Sequence, residues 1–347
     1  VYILVFLFLL IGGALVLYAL RAPGMQSNAG FELLSRESFL LFNNILLTIA
    51  AAVVLAGTLA PMIAQTLKLG TLSVGAPYFN PSFLVPVLPL LALVALGMHA
   101  RWKRGGLSEA RRSLSWLLGI ALVLALVLGF AVYGHPMPLT PVAATFGLWI
   151  ILSSLIEPVK HLRRRQRLPW SVAGMCVAHI GLGVFVLGLT FVNSNSIERD
   201  VALRAGQSAQ IGAYRFHYHG GHNVVGPNYD AFQGDITVTH EGKQVAQMYP
   251  EHRQYWVQGT VQTKAAIAAS IPRDLLAAMG EDVGQGAWSM RFQYRPLIRL
   301  IWLGALIMAL GGMIAVVGRR RRETVSAEAA VPVPPLGDAT ARAGGRA

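Results

Sequence analysis

The sequence predicts a membrane all-α bundle of about seven transmembrane helices with an inserted extracytoplasmic antiparallel β-domain. Three observations carry that prediction. The chain is 54% hydrophobic with a mean hydropathy of +0.52, more than a soluble domain can bury without exposing sticky surface. Seven apolar runs approach the roughly 20 residues of helix that a bilayer core requires. One long polar stretch, 193–296, alternates and is rich in β formers.

The apolar runs are 1–20, 38–60, 83–99, 115–133, 140–157, 172–192 and 297–317. The third carries Pro86 and Pro89 near its start, which predicts a kinked or interfacial beginning. The first begins at Val1 with no charged leader and no small-residue cleavage site, so it does not read as a signal peptide. The chain reads as a piece that lacks an N-terminal part.

The net charge of +13 would suggest nucleic acid in a soluble protein. Here the basic residues crowd into alternate short loops, so topology accounts for the charge and no nucleic-acid partner is expected. Loops 100–114 and 158–171 are rich in Lys and Arg, whereas 61–82 has only Lys68 and 134–139 has neither. The positive-inside rule then puts 21–37, 100–114, 158–171 and the basic tail in the cytoplasm, with 61–82, 134–139 and 193–296 outside.

The outer segment 193–296 is about 100 residues long, enough for a small domain with its own core. Strands are predicted around 200–203, 214–218, 235–239 and 244–249, with turns at Gly220-Gly221, Gly226-Pro227 and Glu241-Gly242. A short helix is predicted over 271–279, opened by Pro272. The last span is expected to end near 318, and the Ala-, Pro- and Gly-rich tail beyond it to be disordered.

His179 stands out because ionisable residues inside a span are rare. It reads either as a packed, satisfied histidine or as a proton relay or metal ligand such as an axial ligand of heme iron. Cys176 and Gly183 share its helical face, which would leave room beside the imidazole for a flat cofactor or serve plain helix packing. His217, His219 and His222 form HxHxxH, readable as a metal site or as a solvated strand face. Pro77 and Tyr78 in the loop 75–81, Trp256, and the Arg273-Asp274 turn are candidates for a docking surface, with membrane-belt residues the alternative for the aromatic ones. Cys176 is the only cysteine, so thiol chemistry belongs to partners. No phosphate-binding loop, nucleophile elbow or HExxH is present, which leaves ATP-driven and hydrolytic functions unsupported.

Several ordered, uncommon stretches resemble the CcmF family of bacterial cytochrome c-type biogenesis proteins. They are Ser35-Arg36-Glu37-Ser38 leading to Asn43-Asn44, Gly75-Ala76-Pro77-Tyr78-Phe79-Asn80, Ala178-His179-Ile180-Gly181, Ser196-Ile197-Glu198-Arg199-Asp200-Val201, Tyr214-Arg215-Phe216, Gly226-Pro227-Asn228, Arg273-Asp274-Leu275 and Arg295-Pro296-Leu297-Ile298-Arg299. The likeness runs from residue 1 to about 320. It implies the C-terminal half of a heme lyase subunit of the bacterial inner membrane, with catalytic residues unassigned and no complete active site in this chain. Such proteins take heme from the chaperone CcmE and, with a CcmH-type thiol reductant, attach it to apocytochrome c outside the membrane. The resemblance also implies an intrinsic b-type heme held by two transmembrane histidines, of which His179 matches the second. The first, the Trp-rich segment and two external heme-binding histidines would precede Val1. Two alternatives stay open: a paralogous lyase dedicated to a nitrite reductase cytochrome, and a membrane transporter or channel.

Overall fold

The computed structural model describes residues 2–25, 35–100, 108–133, 140–257 and 259–329. The loop 134–139, the basic residues 101–104 and the tail 330–347 lie outside them. The chain divides into two compact units, Val1–Ser113 and Leu114–Ala347.

The first unit contains helices α1 (Tyr2–Arg21), α2 (Arg36–Thr66) and α3 (Ala76–Gly97). Ser35 caps α2, its Oγ accepting from the Ser38 amide at 3.3 Å, with Glu37 in the first turn against the helix dipole. α3 begins seven residues before the predicted 83, so most of the expected outer loop 75–81 is helix. Pro77 stands at its start, where the first-turn amides need no partner and a proline costs nothing. Gly57 of α2 lets α3 approach. A methyl there would meet Tyr78 and Phe79 ring carbons at 2.5 and 2.7 Å, and the Tyr78 hydroxyl donates to the Val53 carbonyl at 3.1 Å.

The second unit holds most of α4 (Ser108–Tyr133), then α5 (Thr140–Ser154), α6 (Ile156–Arg163), α7 (Trp170–Asn195) and, after the β-domain, α8 (Arg299–Ala329). α5 and α6 form one membrane-length stretch broken at Leu155. Pro158 explains the break, because it offers no N–H to the Ser154 carbonyl one turn back and its ring crowds that oxygen. α8 continues to Ala329, so the helix covers the first part of the tail expected to be disordered. Seven stretches among the described residues are long and apolar enough to cross a membrane, and the protein is a multi-pass membrane protein.

α7 is the hub of this unit. Gly174, Gly181 and Gly188, one every seven residues, face α8, and Gly304, Gly311 and Gly318, also one every seven, face α7. Gly174 meets Gly311 and Gly181 meets Gly304, while Gly188 lies against Leu300 and Ile301 and Gly318 against Trp170 and Ser171. The absent side chains let the two backbones touch, the close packing on which helix association in lipid depends. A different face meets α5, where Gly183 and Gly147 approach in the same way.

Between α7 and α8 lies a sandwich of two antiparallel sheets. Its strands are β1 (Ile197–Arg204), β2 (Ser208–Ile211), β3 (Tyr214–Val225), β4 (Tyr229–His240), β5 (Lys243–Met248), β6 (Glu251–Tyr255), β7 (Val261–Lys264), β8 (Ala266–Ala269), β9 (Arg273–Gly284) and β10 (Ala287–Pro296). One sheet runs β1-β10-β9-β8, and the other β2-β3-β4-β6-β7 with β5 also on β4. Phe216, Tyr218, Ile236, Val238 and Met248 from one sheet interlock with Leu275, Ala277, Met279, Met290 and Phe292 from the other. Phe216 and Phe292 stack at 4.5 Å across the sandwich.

The helix predicted over 271–279 is instead the start of β9. Leu275, Ala277 and Met279 are fully buried while their neighbours are only partly so, a period of two. Pairing with β8 and β10 on both sides therefore overrides the helical preference of Leu, Ala and Met. Nor is Gly220-Gly221 a turn. It forms a bulge inside β3, where the register shifts and Gly220 takes φ +121°. The turns at Gly226 and at Glu241-Gly242 are present, the latter with both residues at positive φ, as a tight hairpin requires.

Candidate functional site

His179 lies in α7, half-buried, on the flank that leads to the α5 contact. Its Nδ1 is 2.7 Å from the Met175 carbonyl one turn back. A carbonyl can only accept, so Nδ1 carries the proton and Nε2 keeps its lone pair. Such an imidazole is fixed in orientation and has one free donor atom, the arrangement a second partner gives a metal-binding histidine.

The small residues beside it do not open a cofactor slot at Gly183. A methyl on Gly183 would stand 2.4 Å from Ile151 Cγ1 and 2.6 Å from the Gly147 carbonyl of α5, so that space is filled. Cys176 is likewise buried. Gly183 and Gly147 let α7 pack on α5 and so hold the helix that carries His179.

The other predicted residues fall in separate places. Pro77 and Tyr78 belong to the packing of α3 on α2. Trp256 is half-exposed at the tip of the β6–β7 connection, its indole donating to Asp230 at 2.9 Å and its backbone amide to the Asn228 carbonyl at 3.2 Å. Arg273 donates to the Tyr214 hydroxyl at 3.0 Å and lies over that ring. Asp274 accepts from the Ser270 amide at 3.2 Å and pairs with Arg299 at 3.5 Å. His217 and His219 share a strand face with rings 4.6 Å apart, and His219 is bonded to Thr237 at 2.8 Å. His222 follows the bulge, and among the described residues no three His, Cys, Asp or Glu side chains converge as a metal site.

Sequence reading missed Glu251, which is only 5% exposed. It accepts from Arg253 at 2.6 Å, Lys264 at 2.9 Å and Gln233 at 3.0 Å. Burial pushes its carboxyl up, but the bonds from Lys264, Arg253 and Gln233 together outweigh this and hold it below the ordinary range. Its partners come from three strands, and no local pattern announces them.

With this geometry in hand, a family model described as the CcmF C-terminal beta-sandwich matches residues 194–296. The cytochrome c-type biogenesis protein CcmF of Escherichia coli strain K12 is 38% identical over 331 residues, covering 95% of this chain. The chain belongs to the CcmF family. The CcmF of Pseudomonas fluorescens is 39% identical over 341 residues, 94% of this chain. The chain spans about half the length of both CcmF relatives, 51% of the first and 50% of the second. A solved structure named Cytochrome c Heme Lyase CcmF shares the fold with a TM-score of 0.67 over 82% of this chain and 46% of its own, at 19% identity. The matched residues take in the whole sandwich, β1 through β10. For a CcmF chain, the donor chemistry here fits one axial position on a heme iron, since His179 offers one unprotonated nitrogen on a positioned ring.

Proposed function

We propose that this chain is the C-terminal half of the heme-binding membrane subunit of a cytochrome c heme lyase, with His179 as one axial ligand of a b-type heme. The observation that carries the reading is the His179 Nδ1 to Met175 carbonyl bond, which aims the chemistry of the ring at Nε2. When bound, heme supplies a one-electron redox centre whose potential follows its axial ligands and surroundings. His179 would hold the iron through the Nε2 lone pair, while the Met175 carbonyl holds the tautomer and the glycine contacts to α5 and α8 keep the helix in place. A second ligand and the lyase chemistry come from outside this chain.

The sandwich faces the periplasm in this reading and the C-terminus the cytoplasm, supported by the loop charges. Its surface, including Trp256, receives the heme chaperone CcmE, a CcmH-type thiol reductant or apocytochrome c. The substrate rescued in a deletion strain separates a general lyase from one dedicated to a nitrite reductase cytochrome. A transporter reading would call for charged residues deep inside the spans, whereas Arg36, Glu37, Arg111, Arg112, Glu157, Lys160, Arg163 and Arg299 lie toward span ends.

The test is a reduced-minus-oxidised spectrum and heme assay of the full-length protein with His179→Ala. Loss of most of the heme, or a shifted spectrum, is expected. Unchanged content and spectrum would remove His179 from the site.

A further inference from the structure

One end of the sandwich is tied to the membrane spans by chain connectivity. α7 ends at Asn195 and β1 begins at Ile197, while β10 ends at Pro296 and the last span begins at Arg299. The register places Ile197 opposite Tyr294 and Arg273 opposite Pro296, so the β8–β9 turn, residues 270–272, projects beyond that row on the membrane side. The Leu297 amide donates to the Pro272 carbonyl at 2.9 Å, and Asp274 joins the Ser270 amide to Arg299. The turn is thus pinned to the residues that lead into α8. At its apex Ile271 is 83% exposed, and Ile197 on the same end is 42% exposed.

We propose that this end of the sandwich is seated in the lipid leaflet on its own side, with Ile271 as the inserted anchor. A large exposed aliphatic group is unfavourable in water, and here it sits within a few residues of two membrane spans, where acyl chains can cover it. The surroundings suit the headgroup layer. Tyr214 and Tyr294 stack at 5.7 Å and Arg273 caps Tyr214, the mix of aromatic and cationic groups that settles at a membrane boundary. Seated this way, an apolar side chain reaches about 5–10 Å into the headgroup and acyl boundary. The opposite end, with Val257 at 93% exposure and Trp256 beside it, is then held away from the bilayer. The proposal is independent of the heme reading, because it needs only the spans and the turn.

The experiment places a nitroxide at Ile271→Cys or at Val257→Cys in the full-length protein, with Cys176 and any other cysteine replaced, in phosphatidylcholine and phosphatidylglycerol nanodiscs. Both side chains are exposed in turns, so the label displaces no packed group. Collision with oxygen, which partitions into acyl chains, is compared with collision with a water-soluble nickel chelate. The ratio of oxygen to nickel accessibility is expected to be several-fold higher at 271 than at 257. Equal ratios would overturn the proposal by placing the turn in water. Shielding of residue 271 from both agents would overturn it too, by showing that protein covers the turn.

Discussion

Gly181 of α7 and Gly304 of α8 meet backbone to backbone. A methyl built on Gly181 would lie 2.8 Å from the Gly304 carbonyl oxygen, and one on Gly304 would lie 2.7 Å from that of Gly181. Neither helix can carry a side chain at this point without moving the other.

Gly181→Leu or Gly304→Val is therefore expected to destabilise the membrane unit by about 1–3 kcal/mol or more, the cost of overpacking a close contact. Gly312→Ala is the control, since nothing lies within 4 Å of the added methyl, and it should be neutral or slightly stabilising. The thermal aggregation midpoint of the detergent-solubilised protein reads the difference.

Gly183→Leu should alter heme binding without touching a ligand, because the new side chain collides with Ile151 and shifts α7 on α5. A lower heme content or a displaced Soret band is expected with His179 intact. An unchanged spectrum would separate the α5 contact from the heme site.

Glu251 should make the sandwich acid-sensitive. Its folded value lies below the ordinary one of roughly 4.3, so its contribution is full above that pH and is lost as pH falls through the lowered value. Glu251→Gln should cost about 1–3 kcal/mol at neutral pH, the penalty for disturbing a buried bonded charge, and should flatten the acid limb. Hydrogen exchange of the β4 and β6 amides against pH measures both effects.

Phe216→Ala and Phe292→Ala should each cost about 3–5 kcal/mol, since both rings are fully buried. Their stacking at 4.5 Å predicts a coupling of about 0.5–1.5 kcal/mol in the double-mutant cycle. Exchange protection of β3 and β10 in the full-length protein is the readout.

The spans and the β-rich character of the stretch before the last of them were legible in the sequence because each depends on local composition. A run of apolar residues meets lipid whatever its neighbours do, and a lone imidazole within one is conspicuous. β9 was not legible: Leu275, Leu276, Ala277, Ala278 and Met279 favour helix in isolation, and their strand form rests on pairing with β8 and β10. Gly183 was readable as small but not as filled, since Ile151, which fills it, lies about 30 residues away in sequence.

By itself the sequence determined that the chain lives in lipid, how many times it can cross, and where a polar β-domain interrupts the helices, because hydropathy and alternation are properties of short segments. Tertiary structure alone decided which glycines touch, which histidine nitrogen keeps its lone pair, how Glu251 gathers its three partners, and that Ile271 stands at the membrane end of the sandwich. The glycine contacts, the Glu251 cluster and the place of Ile271 depend on distances between residues well separated in the chain, which only packing sets, whereas the histidine tautomer follows from a carbonyl one helical turn back that only the folded helix brings within reach.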